Sequence, residues 1–149
     1  MNADPTVPNP DWPPYSCLIL ESLDGRLILE RRPASAKRAA GSVTCFGGTR
    51  EAGETPDECL VRELEEELGW RPVEFTRTVD LWRGGQPLAW FYFARFPHED
   101  VPAHREEGHS TLILARSELL VPPVSPWHGA ALRAHFSGES SVSVDDLRF

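Results

Sequence analysis

Three carboxylates stand at Glu63, Glu66 and Glu67, the i, i+3, i+4 spacing that places side chains on one stripe of an α-helix. Like charges so spaced repel and cost an isolated helix a few tenths of a kcal/mol per pair, roughly, so a purely structural helix gains nothing from concentrating them. A hard divalent cation reverses the sign. Mg²⁺ takes a few oxygen ligands and leaves room for water and substrate phosphates, which suits a stripe of this kind. The plain alternative is a solvated acidic face, the usual fate of Glu-rich runs. Leu60, Val61, Leu64 and Leu68 fall on the neighbouring stripe and are expected to anchor the helix to a sheet, with Glu58 and Glu65 facing outward.

The helix that carries these acids has its own local signals. Thr55-Pro56-Asp57-Glu58 is a capping box with proline at the first helical position, and Gly69 follows the last apolar residue, so the helix is expected from about Pro56 to Leu68. Upstream, SCLILES and RLILERR flank Leu23-Asp24-Gly25 and read as a β-hairpin. PASAKRAAGS reads as a loop into a short strand from Val43 to Phe46, which Gly47-Gly48 is expected to break. Downstream, VEFTRTVDLWR and PLAWFYFARF read as a second hairpin turning at Gly84-Gly85-Gln86, and HSTLILARSEL adds a strand running into a turn or short helix. SPWHGAALRAHF reads as a second helix, while the polar tail SGESSVSVDDLRF carries no assignment. Strands interleaved with two helices give an α/β class with a mixed central sheet between helices.

From Gly48 the chain reads GTREAGETPDECLVRELEEELGW, which resembles the signature of the Nudix hydrolase family, G-x5-E-x7-R-E-U-x-E-E-x-G-U with U a bulky aliphatic. Gly48, Glu54, Arg62, Glu63, Leu64, Glu66, Glu67 and Gly69 are all in register. At ordinary residue frequencies such a set would coincide roughly once in 10⁸ placements. Trp70 in the last aliphatic position is the departure, and it bears on local packing rather than on the acids. The flanking order of hairpin, short strand, helix, aromatic hairpin and late helix is also similar to the family, so the resemblance implies its α/β/α sandwich over residues 15–149, preceded by a proline-rich arm at 1–14.

The resemblance implies further that Glu63 and Glu67 ligate Mg²⁺, or alternatively Mn²⁺, that Glu66 does so directly or through water, and that the Gly47 carbonyl adds a backbone ligand. It implies an Arg62–Glu54 ion pair that supports the loop against the helix. Family members often add a glutamate from a later loop as metal ligand or general base, and Arg105-Glu106-Glu107-Gly108 is similar to that loop; Glu107 is the first choice and Glu106 the next, against a solvated loop acid. Phe46 stands where many members have proline, which implies altered substrate contacts. The implied reaction is metal-dependent hydrolysis of a phosphoanhydride in a nucleoside diphosphate linked to another moiety, and the resemblance leaves room for a homodimer. A catalytically silent nucleotide-binding module on the same fold would be expected to lack one or more motif glutamates, and all are present. An isomerase of the wider superfamily would need a reactive cysteine, for which Cys45 is the candidate.

Other residues carry weaker expectations. Arg31, Arg32, Lys37 and Arg38 form a basic cluster that could meet distal phosphates. Trp82, Trp90, Phe91, Tyr92 and Phe93 alternate along a hairpin, so some face the core and others could stack on a base. His98, His104, His109, His128 and His135 show no metal-ligand spacing and read as surface or boundary residues. Three cysteines without a CxxC spacing read as reduced and half-buried. A net charge of -8 disfavours duplex nucleic acid, and no apolar run reaches the roughly 18 residues of a membrane span. The first fifteen residues hold five prolines and neither a basic start nor an apolar stretch, unlike a secretory signal, so the expected compartment is the cytoplasm.

Overall fold

SCLILES and AWFYFA are apolar on consecutive residues, the pattern of strands covered on both faces. The computed structural model, which describes residues 9–119 and 123–147, places them as the two central neighbours of a mixed sheet. Strand β1 (Tyr15–Glu21) lies parallel to β6 (Gln86–Arg95), with Tyr15 opposite Ala89 and Glu21 opposite Arg95. The opening hairpin pairs β1 with β2 (Leu27–Arg31), which also pairs with β3 (Val43–Thr44). Strand β4 (Phe46–Thr49) returns antiparallel along the first half of β1, and β5 (Thr76–Arg83) pairs antiparallel with β6. On the other edge of β2 runs β7 (Ser110–Leu114).

Two helices close the sandwich. Alternation along β1 sends Leu18 and Leu20 to one face, where they meet Leu60, Leu64 and Leu68 of α1 (Pro56–Leu68) with Phe46, Tyr92 and Phe96. Cys17 and Ile19 face the opposite way and join Val79, Leu81, Phe91 and Ala131 beneath α2 (Pro126–Ser137). The expected α/β/α sandwich with a mixed sheet is therefore present. No helix among the described residues is long and apolar enough to cross a membrane.

Several expectations need correction. The glycine pair does not end a strand: β4 runs through Gly47 and Gly48 beside Cys17 and Ser16. The tail contributes β8 (Ser141–Ser143), parallel to β5, a pairing supplied wholly by tertiary contact. All three cysteines are buried rather than half-buried. Val61 is only half-buried on α1, and Cys59 fills the core position beside Leu60 instead. Of the N-terminal arm, residues 1–8 lie outside the described residues, and Pro13 and Pro14 accept hydrogen bonds from Arg50.

Candidate active site

Helix α1 begins where its capping box predicts, with Thr55 accepting from the Glu58 N–H and Glu58 reaching back to the Thr55 N–H, and ends at Gly69 in a left-handed cap. Its position is set by Ser16, fully buried on β1, whose hydroxyl donates to the Pro56 carbonyl at 2.8 Å. The acid stripe is thereby graded from solvent to core: Glu66 is exposed, Glu63 half-buried and Glu67 buried. Glu67 Oε2 accepts the Gly47 N–H at 3.2 Å, joining the helix to β4. Gly48 sits directly over Glu63, so closely that a β-carbon there would fall 2.5 Å from the carboxyl carbon.

Arg62 organises the rim. Its guanidinium takes Glu54 in a two-pronged ion pair, donates to the Thr49 carbonyl at 3.0 Å, and reaches Glu63 at 3.0 Å and Glu66 at 3.3 Å. Even so, the inner acids are crowded. Burial pushes the Glu63 carboxyl up, Arg62 pulls it down, and the charges of Glu66 and Glu106 push it up again. Glu67 is raised well above the ordinary carboxylate range by burial first, then by the charges of Glu30 and Glu63, against the single Gly47 hydrogen bond. An all-oxygen donor set whose members oppose one another's ionisation fits a hard divalent cation such as Mg²⁺ or Mn²⁺.

These acids form one wall of a cavity of about 440 Å³. Glu63, Glu66, Glu67, Gly47, Gly48, Arg62 and Glu106 line its polar part, with Arg32, Arg38 and Arg50 nearby in the lining. Tyr15, Leu81, Ala89, Phe91 and Trp127 line the apolar part under α2. Among the loop acids, Glu106 faces the cavity and Glu107 does not line it, so the second choice from sequence is the one brought to the site. Of the basic cluster, Arg32 and Arg38 line the cavity, while Arg31 and Lys37 do not. Alternation along β2 explains this for Arg31, which points away from the face shared by Glu30 and Arg32. Phe46 is fully buried and stacks on His104 at 5.8 Å, so it is a core residue and not a substrate contact. Of the aromatic hairpin, Phe91 alone lines the cavity; Tyr92 is buried on the α1 face.

His98 is exposed and His135 half-buried, as expected of surface or boundary residues, but the side chains of the other three histidines are packed inside. His104 has no exposed side-chain surface and His109 about a tenth, and both meet the buried carboxylate of Glu30. His128 is buried in the cavity wall, its Nδ1 accepting the Cys45 N–H at 3.1 Å, which fixes the proton on Nε2. Burial holds its pKa down at about 4. An exposed histidine in the unfolded chain titrates near 6.5. The folded state thus binds fewer protons between those values, and stability falls as pH falls through that window. From about pH 7.5 to about pH 5 this group is expected to remove about 2 kcal/mol. Urea melts compared with His128→Asn, which keeps an acceptor for Cys45 but cannot titrate, should show the gap between the two proteins changing by that amount; a pH-independent gap would refute the neutral buried ring.

Cys45 lines the cavity wall at 3 % exposure, and burial drives its thiol far above the ordinary range, which keeps it protonated and disfavours it as a nucleophile.

Comparison with known proteins agrees with this geometry. The family model described as the NUDIX domain matches residues 13–134. The 8-oxo-dGTP diphosphatase of Escherichia coli (strain K12) is 29% identical, over 59% of this chain and 86% of that protein. The fold is shared with a MutT protein from Bacillus halodurans (TM-score 0.66, 18% identity, 90% and 92% of the two chains). It is shared too with the NUDIX domain of Shewanella oneidensis NrtR in complex with ADP ribose (TM-score 0.69, 12% identity, 85% and 87%). With the family model spanning most of the chain and the motif acids gathered at one cavity, this protein belongs to the Nudix family and is a Nudix hydrolase.

Proposed function

We propose that this enzyme uses Mg²⁺ or Mn²⁺ to hydrolyse a phosphoanhydride of a nucleoside diphosphate derivative, with nucleoside triphosphates as the first candidates and ADP-ribose-like compounds as the second. The observation that carries the reading is the convergence of Glu63, Glu66, Glu67 and Glu106 on the polar part of a cavity whose other part is apolar and aromatic. Triphosphates come first because the Escherichia coli relative is an 8-oxo-dGTP diphosphatase, and ADP-ribose second because the NrtR domain binds it.

Divalent cations held by Glu63 and Glu67, with Glu66 outermost and the Gly47 carbonyl as a further oxygen, would neutralise the diphosphate and acidify the attacking water. Arg32, Arg38 and Arg50, which line the cavity, would meet phosphates beyond the scissile bond, and Phe91 and Trp127 in its apolar part would hold the base. Glu106, with about half its side chain exposed at the rim, accepts the proton as water attacks phosphorus. The bridging P–O bond breaks, and a triphosphate leaves as monophosphate and pyrophosphate.

Phosphate and pyrophosphate release should be screened over canonical and oxidised nucleoside triphosphates, nucleotide sugars, ADP-ribose, NADH, CoA and dinucleoside polyphosphates, each with Mg²⁺, Mn²⁺ or EDTA. Release from one class that EDTA abolishes is expected. Binding without release in every class would replace the hydrolase reading by that of a nucleotide-binding module on the same fold.

A further inference from the structure

The loop from Val101 to His109 delivers Glu106 to the cavity, yet its own sequence holds no regular structure there. It is fastened at one point by the Arg105 N–H, which donates to the Glu67 carbonyl at 2.7 Å. Thr111 Oγ1 donates to the Pro102 carbonyl at 3.3 Å nearer the loop's start, and around Glu106 the fastenings come from two histidines backed by one carboxylate. His104 Nδ1 accepts the Glu106 N–H at 3.0 Å, and His104 Nε2 lies 3.0 Å from Glu30 Oε2. Because a backbone N–H can only donate, Nδ1 carries the lone pair and the ring proton sits on Nε2, facing Glu30. His109 Nδ1 lies 2.8 Å from Glu30 Oε1, and its Nε2 lies 3.3 Å from the Glu106 carboxylate.

Glu30 can hold both rings because it is itself buried and ionised. Burial raises its carboxyl, but hydrogen bonds from His104 and His109 and the nearby Arg32 charge outweigh that and hold it below the ordinary range. The three side chains also lie close enough for a two-histidine, one-carboxylate metal site. The tautomer speaks against it, since the only His104 nitrogen facing Glu30 bears the proton and has no lone pair for a cation.

We propose that Glu30, His104 and His109 form a positioning clamp for Glu106, in which His104 fixes its backbone and His109 its carboxylate, both anchored to one buried acid. The proposal deepens the hydrolase reading and rests on Glu106 acting in it. The clamp orients; none of its three members touches the reacting atoms. An imidazole suits the task because its two nitrogens face in different directions, so one ring spans from Glu30 to Glu106.

Amide isosteres separate the two ends of each ring. In His104→Gln and His109→Asn the surviving amide group stands near the nitrogen that faces Glu30 and is absent from the end that holds Glu106. His104→Asn does the reverse and keeps an acceptor for the Glu106 N–H. With 8-oxo-dGTP, or whichever nucleotide of the screen is turned over fastest, His104→Gln and His109→Asn should lower kcat roughly 10- to 100-fold with KM within about threefold. His104→Asn should restore most of the loss. Placed on Glu106→Gln, neither should slow the enzyme further, whereas losses that multiply would make the histidines merely structural and overturn the clamp. If Glu106→Gln alone leaves kcat unchanged, the role given to Glu106 fails first. Amide hydrogen exchange reads the clamp without any substrate: the Glu106 N–H should be protected in the wild type and His104→Asn and lose protection in His104→Gln. Unprotected exchange in the wild type overturns the proposal whatever the activity.

Discussion

Glu67→Gln is expected to cut kcat by about 10³-fold or more, the loss of several kcal/mol of transition-state stabilisation, while the protein stays folded. The glutamine keeps an acceptor for the Gly47 N–H, which Glu67 Oε2 takes at 3.2 Å, so the joint between α1 and β4 survives. What is lost is the most buried charge of the acid stripe. Its carboxyl is raised by burial and by the charges of Glu30 and Glu63, so the folded state binds a proton there more tightly than the unfolded state does. Its stability contribution is therefore complete at low pH and is lost as pH rises from the ordinary carboxylate range through the raised folded value. In EDTA at neutral pH, Glu67→Gln should melt at or above the wild-type temperature, and the gap should close on acidification. Saturating Mg²⁺ should reverse the order, because a ligand at 100 times its Kd adds about 2.7 kcal/mol to a protein that binds it and little to one that does not. Turnover assays and melting curves at two pH values, with and without Mg²⁺, check both halves. A Glu67→Gln enzyme with wild-type kcat would move the cation elsewhere, and one that melts far below the wild type in EDTA would make Glu67 a structural residue.

The parts of the fold that were legible are those whose causes are local. Thr55, Pro56, Glu58 and Gly69 act within a few residues of one another, and α1 starts and stops where they place it. The two hairpins turn at Asp24-Gly25 and Gly84-Gly85 for the same reason, since the left-handed backbone at Gly25, Gly84 and Gly85 is cheap only for glycine. The site was legible where helix periodicity decides it. What stayed hidden depends on partners distant in sequence. Glu30 meets His104 across 74 residues and His109 across 79, and nothing near any of the three announces the others. A charged residue among the buried positions of β2 was the available signal, because a buried acid requires donors. Choosing between Glu106 and Glu107 required the backbone path of a loop that periodicity does not govern. The polar SVS of β8 joins the sheet through main-chain pairing, to which side-chain patterning is blind.

Gly47→Ala should abolish soluble, folded protein, while Gly48→Ala should fold and lose activity. The two glycines are neighbours on one strand, but what lies over them differs. A β-carbon on Gly47 would collide with the Ser16 carbonyl oxygen and lie 2.7 Å from Cys17 Cα, and the residue sits at φ +138°, where side-chain-bearing residues rarely go. Both obstacles are backbone of the central strand β1, paired on its other side with β6, so no rotamer change relieves them. The cost is expected to exceed about 4 kcal/mol, a large part of the roughly 5–15 kcal/mol that holds an ordinary domain together. At Gly48 the obstacle is the Glu63 carboxyl, 2.5–2.8 Å from the added carbon, at the end of a flexible side chain that can yield by giving up its Arg62 contact. Alanine there displaces the acid and spares the sheet, so Tm should change by a few degrees at most, roughly, for a cost near 1 kcal/mol. Mg²⁺-induced stabilisation and turnover should both fall as Glu63 leaves the cluster. Soluble yield, melting temperature and the Mg²⁺ shift separate the two: a Gly47→Ala protein that melts near the wild type would show that β1 and β4 do not need their close approach. A Gly48→Ala enzyme with full activity would show that the position of Glu63 beneath that glycine is not the one that matters for catalysis.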